Sequence, residues 1–585
     1  MGDGPFAADR RASLRLSRLP AAREALLCTG LAAIAASLLV WLAPPGGDLA
    51  AHEYQRHLFL GHGFTLWNNF WYAGRYAFVG YSVLYYPLAA LLGIQLLSVL
   101  TVALAAAAFA LLLEREWGRA ARWPSRCFAV VWAGAMITGQ LPFEFGVALA
   151  LLALLALRVG WRWTSAVLTL LVLAASPVAL LLLAIVLVGV LAARRPPLRR
   201  YAVPAAALAV AVGVEVLLLR LFPEGGTFTF PWWEAAAAAT FCIYGIALVW
   251  RNERARVLGG VFSVYLAAIA LSFAIPSGLG ENVQRLRFLA LPLALLVAAL
   301  RRWRPLPIVL VAVLLAGIWN VTPLAAGWTQ SAADLSSRPK IWTAPIAYLH
   351  AHLRPGYRVE AVDTSQHWPA FYLAAANIPL VRGWFRQDDY PFDGLLYRRR
   401  FTAAQYVAWL RRLGVAYVVL TNAPPDYTAR REASLVRSGS TGLTQVFRAR
   451  HVSVYAVPHP HPIVTGPGRP TVVALRQSRV VIRVSQPGTY RVAVRWSPYW
   501  QASTGCLART AHGMLKLRTR AAATVRIAFD IDARTLFHAF ADTAPRCGPG
   551  VDYPTSRTSS DRGFRFALAD HSGALRLSGS LGRAG

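Results

Sequence analysis

Charge-free apolar runs constrain this chain more than any other feature. Residues 25–43, ALLCTGLAAIAASLLVWLA, and 306–321, LPIVLVAVLLAGIWNV, each approach the ~20 apolar residues that cross the ~30 Å hydrocarbon layer of a bilayer. Such runs recur through the first half of the chain, and 56% of its 585 residues are hydrophobic. The expected fold class is therefore a polytopic α-helical membrane protein, not a large soluble core. The pattern predicts helices at 22–43, 86–113, 126–138, 144–157, 164–175, 177–193, 202–222, 234–250, 258–276, 286–300 and 305–322, which is eleven crossings. The segment AASPVALL between two of them reads as a turn or a kink.

A net charge of +33 would suggest nucleic acid as the partner of a soluble chain. Here the arginines gather at 10–23, 115–126, 158–162, 194–200, 251–256 and 301–304, between alternate apolar runs, while the other short loops carry few. That is the positive-inside pattern, so membrane lipids are expected partners and nucleic acid is not. An odd number of crossings puts a basic N-terminus, 1–21, in the cytoplasm and everything beyond about 325 outside the plasma (cytoplasmic) membrane. The first apolar run reads as a retained anchor, because it is longer than a signal h-region and is followed by PPGGD without a small-x-small cleavage site.

The transmembrane domain is expected over 22–325, with a large first outer loop at 44–85. Beyond it the composition turns mixed. YRVEAVDT, NIPLVRG and GVAYVVLT read as strands and WPAFYLAAA and TAAQYVAWLRRL as helices, an α/β subdomain over 326–460. The stretches from RPTVVALRQ to WSPYW and AAATVRIAFDIDA alternate with period two, which predicts a β-sandwich over 461–575, followed by a disordered tail at 576–585. Cys28, Cys127 and Cys242 fall in apolar runs, whereas Cys506 and Cys547 form an even pair in the outer region and are expected to be a disulfide. The sequence carries no Walker loop, no GxGxxG after a strand, no HExxH and no CxxC, which counts against an ATP-driven pump.

The first outer loop is too long and too rich in Trp, Tyr, Asn, His and Arg for a plain connector. Asp48 and His52 are four apart, sharing a face if the segment is helical, with Glu53 about 100° round from His52. Asp48 and His52 after the first helix, Gly61 and Gly63, WNNFWYAG from Trp67, YYPL from Tyr85 and GTYRVAVRWSPYW in the outer region together resemble the GT-C class of polytopic glycosyltransferases. More narrowly, they resemble bacterial membrane proteins related to 6-pyruvoyl-tetrahydropterin synthase and the YfhO-like proteins.

That resemblance implies a transferase that moves a sugar from a polyprenyl-phosphate donor to an envelope glycan or lipid acceptor on the outer face. It implies Asp48 as the base that takes the acceptor's proton, with His52 orienting it or sharing the proton and Glu53 beside them. Arg285 and Arg287, then Arg75, are the cations for the departing phosphate. Trp67, Trp71 and Tyr72 offer sugar-stacking faces or an interfacial belt, and Glu144, Glu281, Trp384 and Arg386 complete the candidate substrate contacts. Many GT-C enzymes place a second acid beside the first, but Leu49 follows Asp48, so no cofactor is expected and a divalent metal has no support. Blander readings stay open: Asp48 as a turn former, Arg285 and Arg287 as headgroup contacts or partners of Glu281, and Trp384 and Arg386 as packing between subdomains. A transporter or lipid flippase, or a non-catalytic glycan-binding scaffold, are the rival functions. The first would show internal repeats and a midplane site, of which Glu215 is the sole candidate.

Overall fold

The computed structural model describes residues 5–194, 198–223, 226–541 and Cys547. The expected tail and the end of the expected sandwich lie outside these residues, as do the side chains of Arg10, Arg11, Arg15 and Arg18. The membrane part consists of α1 (Pro5–Leu42), α2 (Leu49–His62), α3 (Tyr85–Leu92), α4 (Ile94–Trp117), α5 (Arg122–Ala133), α6 (Ala135–Thr138), α7 (Leu141–Val159), α8 (Arg162–Ala175), α9 (Pro177–Arg194), α10 (Leu198–Leu221), α11 (Trp232–Val249), α12 (Arg256–Ala274), α13 (Ala290–Leu300) and α14 (Leu306–Ala333). A 3₁₀ segment, Gly280–Leu289, leads into α13.

Among the described residues nine stretches are helical, long and apolar enough to cross a membrane, so the chain is a multi-pass membrane protein. One of the nine, Ile94–Thr138, contains two of the expected crossings joined through the 3₁₀ turn Gly118–Ala121, and the expected 164–175 crossing is the shorter apolar helix Arg162–Ala175. The expected span at 86–113 is not one helix. Gly93 takes φ 79°, a conformation that favours glycine, and separates α3 from α4. AASPVALL is a break: Ser176 is extended (φ −166°, ψ 117°), and Pro177 opens α9, where its missing N–H costs nothing.

The region after α14, expected on the outer face and called the outer part for that reason, has two sheet systems. In the first, β3 (Arg358–Ala361), β4 (Val415–Thr421), β5 (Thr444–Arg448) and β6 (Val452–Ala456) pair in the order β3-β4-β6-β5. β3 runs parallel to β4 and the other pairs are antiparallel. Helices α15 (Thr343–His352), α16 (Trp368–Ala375), α17 (Arg386–Phe392), α18 (Ala403–Leu413) and α19 (Arg430–Arg437) accompany it. The expected strand at 377–383 is reduced to a single parallel bridge, Val359 to Leu380.

The second system comprises β7 (Val464–Thr465), β8 (Thr471–Arg476), β9 (Arg479–Val484), β10 (Gly488–Arg495), β11 (Trp500–Ala502), β12 (Cys506–Arg509), β13 (Met514–Thr519) and β14 (Ala523–Phe529), followed by α20 (Ala533–Ala541). They form two antiparallel sheets, β12-β13-β10-β7 and β11-β14-β9-β8. Alternate residues such as Val480, Ile482, Val525 and Ile527 turn into a common core. Cys506 and Cys547 are disulfide-bonded, with Cα atoms 5.8 Å apart.

The first outer loop joins these parts. Its strands β1 (Trp67–Asn68) and β2 (Arg75–Tyr76) make a small hairpin, turned through the positive-φ residues Tyr72, Ala73 and Gly74. Trp67 and Tyr76 enter the sandwich core, where Trp67 stacks on Phe529 at 5.2 Å and Tyr76 shares a hydrogen bond with Ser497 at 2.9 Å. Trp71 and Tyr72 enter the α/β core; the Trp71 indole donates to the carbonyl of Ala370 at 2.9 Å. Gly383 is required here, since a Cβ would sit 2.7 Å from the Trp71 ring. This corrects the reading of Trp67, Trp71 and Tyr72 as sugar platforms or a membrane belt: all three are buried between elements of the fold.

Candidate functional site

Asp48 owes its place to a close crossing of two turns. A Cβ on Gly46 would lie 2.5 Å from the Ile137 carbonyl oxygen, and one on Gly139 (φ 74°) would lie 3.0 Å from the Leu49 nitrogen. Gly46 and Gly139 thus let residues 46–49 lie against 137–140, and the Asp48 amide donates to the Thr138 carbonyl at 3.4 Å. Asp48 occupies the N-cap position of α2, yet its carboxylate makes no cap hydrogen bond. Instead Oδ1 accepts from the indole of Trp384 at 3.2 Å. Trp384 is itself fixed by stacking on His367 (3.3 Å, 11°), whose Nδ1 lies 2.6 Å from Asp363 Oδ2.

Asp48 faces a cavity of about 1070 Å³ between the membrane helices and the outer part. His52, Glu281, Arg285, Arg287, Trp384 and Arg386 line the same cavity, so seven of the expected site residues converge from three separate stretches of sequence. Burial pushes the Asp48 carboxyl above its ordinary range, against the opposing charges of Arg285 and His367, the Trp384 hydrogen bond and Arg386. Burial holds His52 down to about 3, with the Arg285 charge in the same direction and the Gly139 carbonyl opposing, so its ring is neutral at ordinary pH. His52 Nδ1 lies 3.2 Å from the Tyr86 hydroxyl, and its ring makes no bond to the Asp48 carboxylate; the side chain that orients that carboxylate is Trp384.

The cavity's three arginines differ in their commitments. Arg386 makes a two-pronged pair with Asp426 (3.0 and 2.6 Å). Burial alone would raise Asp426, but Arg386 holds it below the usual carboxylate range. Arg287 reaches Glu234 at 3.2 Å and the Trp319 carbonyl. Arg285 donates through Nε to Asn282 at 3.0 Å and lies 4.9 Å over the Phe143 ring; among the described residues no carboxylate is within 4.0 Å of its guanidinium. Neither Arg285 nor Arg287 pairs with Glu281 among the described residues.

The remaining expected residues lie elsewhere. Arg75 is buried against Asp388 at 2.6 Å and lies over the Phe385 ring, so it ties the hairpin to α17 and is not a cavity cation. Glu53 is half-buried beside Arg56 at 3.8 Å, off the cavity. Glu144 is buried in the first turn of α7 behind the cavity wall, both carboxylate oxygens lacking a hydrogen-bond partner among the described residues. Residues that sequence reasoning passed over include Tyr81, Gln140, Asn282, Tyr390 and Tyr427. Tyr81 stands where the charges of Asp48, Arg285 and Glu144 all reach its hydroxyl, which burial raises well above its ordinary range. Asn282 adjoins Glu281 in a stretch already singled out for its arginines, and that adjacency was the available signal.

Trp233, Glu234 and Arg287 also border a second, mostly apolar groove of about 390 Å³ formed by α11, α12, α13 and α14, so the polar cavity runs into a greasy slot among helices. Among the described residues no group of three or more His, Cys, Asp or Glu side chains is arranged to hold a metal ion. No protein-family model matches the chain, and no curated protein does. The chain is similar to cryo-EM structures of the arabinofuranosyltransferase AftD from Mycobacteria. For a mutant form of that protein the identity is 18% and the TM-score 0.46, covering 75% of this chain and 42% of the other. For a second structure the values are 16% and 0.45, covering 80% and 41%. The chain thus spans about two fifths of the length of the proteins it resembles.

Proposed function

We propose that the chain is a membrane glycosyltransferase whose reaction takes place in the Asp48 cavity. The observation that carries this reading is the pairing of opposites there: a half-buried carboxylate that makes no capping bond, and an arginine, Arg285, with no carboxylate partner among the described residues, around one cavity. A helix-capping aspartate would spend its oxygens on backbone N–H groups, and a structural arginine would be paired as Arg75 and Arg386 are.

In the proposed step the acceptor hydroxyl gives its proton to Asp48 as its oxygen bonds to the anomeric carbon. The bond from that carbon to the phosphate oxygen breaks, and the electron pair leaves on a polyprenyl phosphate held by Arg285. Burial favours this, since a carboxylate raised above its ordinary range is a stronger base. Trp384 holds the carboxylate in place through one oxygen, leaving the other for the proton. The apolar groove beside Arg287 suits a donor whose tail stays in the bilayer. The acceptor is an envelope glycan or lipid, and the chemistry faces the outside of the plasma membrane.

The test is Asp48→Asn in purified, monodisperse protein with saturating lipid-linked sugar donor. Asn keeps the Trp384 hydrogen bond but cannot take a proton, so transfer is expected to fall by ~10² to 10⁴. Wild-type turnover in that variant would sink the proposal.

A further inference from the structure

We infer that α20 is a membrane-surface anchor, which lies flat on the leaflet beneath the sandwich and dips Phe537 and Phe540 into its lipid. The position of the helix along the membrane normal carries the argument. α10 belongs to the candidate spans, and its side chains Val210, Val212, Val214, Val216, Leu217 and Leu219 are 40–61% exposed, facing what would be acyl chains. The next residue, Arg220, donates from Nη2 to the Phe540 carbonyl at 3.2 Å, so α20 sits where the lipid-facing surface of α10 ends. The Tyr499 hydroxyl fixes the same level by donating to the Leu221 carbonyl at 2.9 Å.

The two faces of α20 differ. Leu536 and Ala539 pack on the sandwich core beside Leu218, Leu221 and Phe222 of the α10 end. Phe537 and Phe540, one residue further round at the same i, i+3 spacing, are 66% and 56% exposed. Two neighbouring phenylalanines turned away from their own core are costly in water. Beside a lipid-bathed helix end they are continuous with an apolar medium, and a short helix with one face on protein and one on lipid is the interfacial arrangement. The disulfide from Cys506 on β12 to Cys547 tethers the chain just beyond α20 to the sandwich. The partner is the lipid surface itself, and this inference stands apart from the proposed chemistry.

The test uses the full chain with Cys28, Cys127 and Cys242 replaced by alanine, in nanodiscs of phosphatidylcholine with phosphatidylglycerol. Spin labels are placed in turn at Phe537→Cys, Phe540→Cys and, as control, Gln486→Cys, an exposed turn residue at the opposite end of the β9–β14 pair from α20. Accessibility to oxygen, which partitions into lipid, is compared with accessibility to a water-soluble nickel chelate. The expected result is an oxygen-to-nickel ratio several-fold higher at 537 and 540 than at 486. Nickel accessibility equal to the control would place α20 in water and overturn the inference. Low accessibility to both reagents would mean that protein, such as a second copy of the chain, covers this face, and would overturn it as well.

Discussion

Two aspartate–arginine neighbourhoods lie close together at the junction of membrane and outer parts, and they are built on opposite principles. Around Arg75 and Asp388 opposite charges are paired at short range: the pair is 2.6 Å apart, both side chains are about 3% exposed, and Arg382 nearby meets Asp389 at 3.0 Å. Around Asp48 and Arg285 the carboxylate is held by an indole, the arginine by an amide and an aromatic ring, and a cavity lies between. Matched charges specify a fold, because breaking one leaves its partner stranded without water. Charges kept apart beside a cavity are set up for a ligand that completes them.

The comparison breaks most sharply on the two aspartates. Asp48→Asn should cost the transfer reaction ~10² to 10⁴ while leaving the melting temperature near wild type. Asp388→Asn should do the reverse, destabilising by about 3 to 5 kcal/mol because it removes one member of a buried, hydrogen-bonded ion pair. Calorimetry beside a turnover assay separates them, and a thermally crippled Asp48→Asn protein would show that this carboxylate is structural after all. Trp71→Ala belongs on the structural side too. It empties a closed slot between the first outer loop and the α/β core, for a loss of about 3 to 5 kcal/mol.

The arginines give a smaller contrast. Arg285→Lys keeps the charge and loses the fork, so donor use should weaken about tenfold or more with the fold intact. Arg285→Gln should also move the acid limb of the pH–rate profile. A base works deprotonated, so activity falls as pH drops through the Asp48 pKa. Arg285 lowers that pKa, so its removal shifts the limb to higher pH. An unmoved limb would mean that another group titrates there.

The smallest effect tests the matched side from within. Burial and the neighbouring Glu432 push the Glu360 carboxyl well above its ordinary range. Between the ordinary value and that raised one the folded state keeps a proton that the unfolded state has lost, so stability falls as pH climbs through the window. Glu360→Gln should therefore stabilise the protein by about 1 kcal/mol on the alkaline side, with no gain below the ordinary carboxylate range. Equal melting temperatures at all pH values would count against the buried charge.

How much of this was legible in the sequence varied with the range of the forces involved. Apolar runs and period-two alternation are local, so most membrane helices and the strands β3, β4, β8, β9, β10 and β14 could be read directly, while β5, β6, β12 and β13 were not; the failures at Gly93 and at 377–383 turn on one backbone angle and on one bridge. Asp48, His52 and Arg285 could be singled out because each lies in a polar stretch that borders an apolar run. The roles of Trp67, Trp71 and Arg75 were not legible. Composition cannot distinguish an aromatic that meets lipid or sugar from one that meets another domain, and Arg75 has its carboxylate 313 residues away. The unmatched state of Arg285 against the matched state of Arg386 is likewise a property of three-dimensional neighbours: both are arginines in polar, aromatic-rich stretches.

The first outer loop also sets a timetable for making the protein. Its hairpin completes cores whose other walls come 299 residues later at Ala370 and 407 residues later at Arg476. At about 5–20 residues per second of synthesis, the loop that carries Asp48 waits roughly 20 to 80 s before Arg476 exists. For that time Trp67 and Trp71 are uncovered aromatic surface at the edge of a membrane. The hairpin of that loop reaches its final packing only when the sandwich strands exist, so a chain truncated within the sandwich leaves the membrane helices in place and Trp67 and Tyr76 without the core they enter.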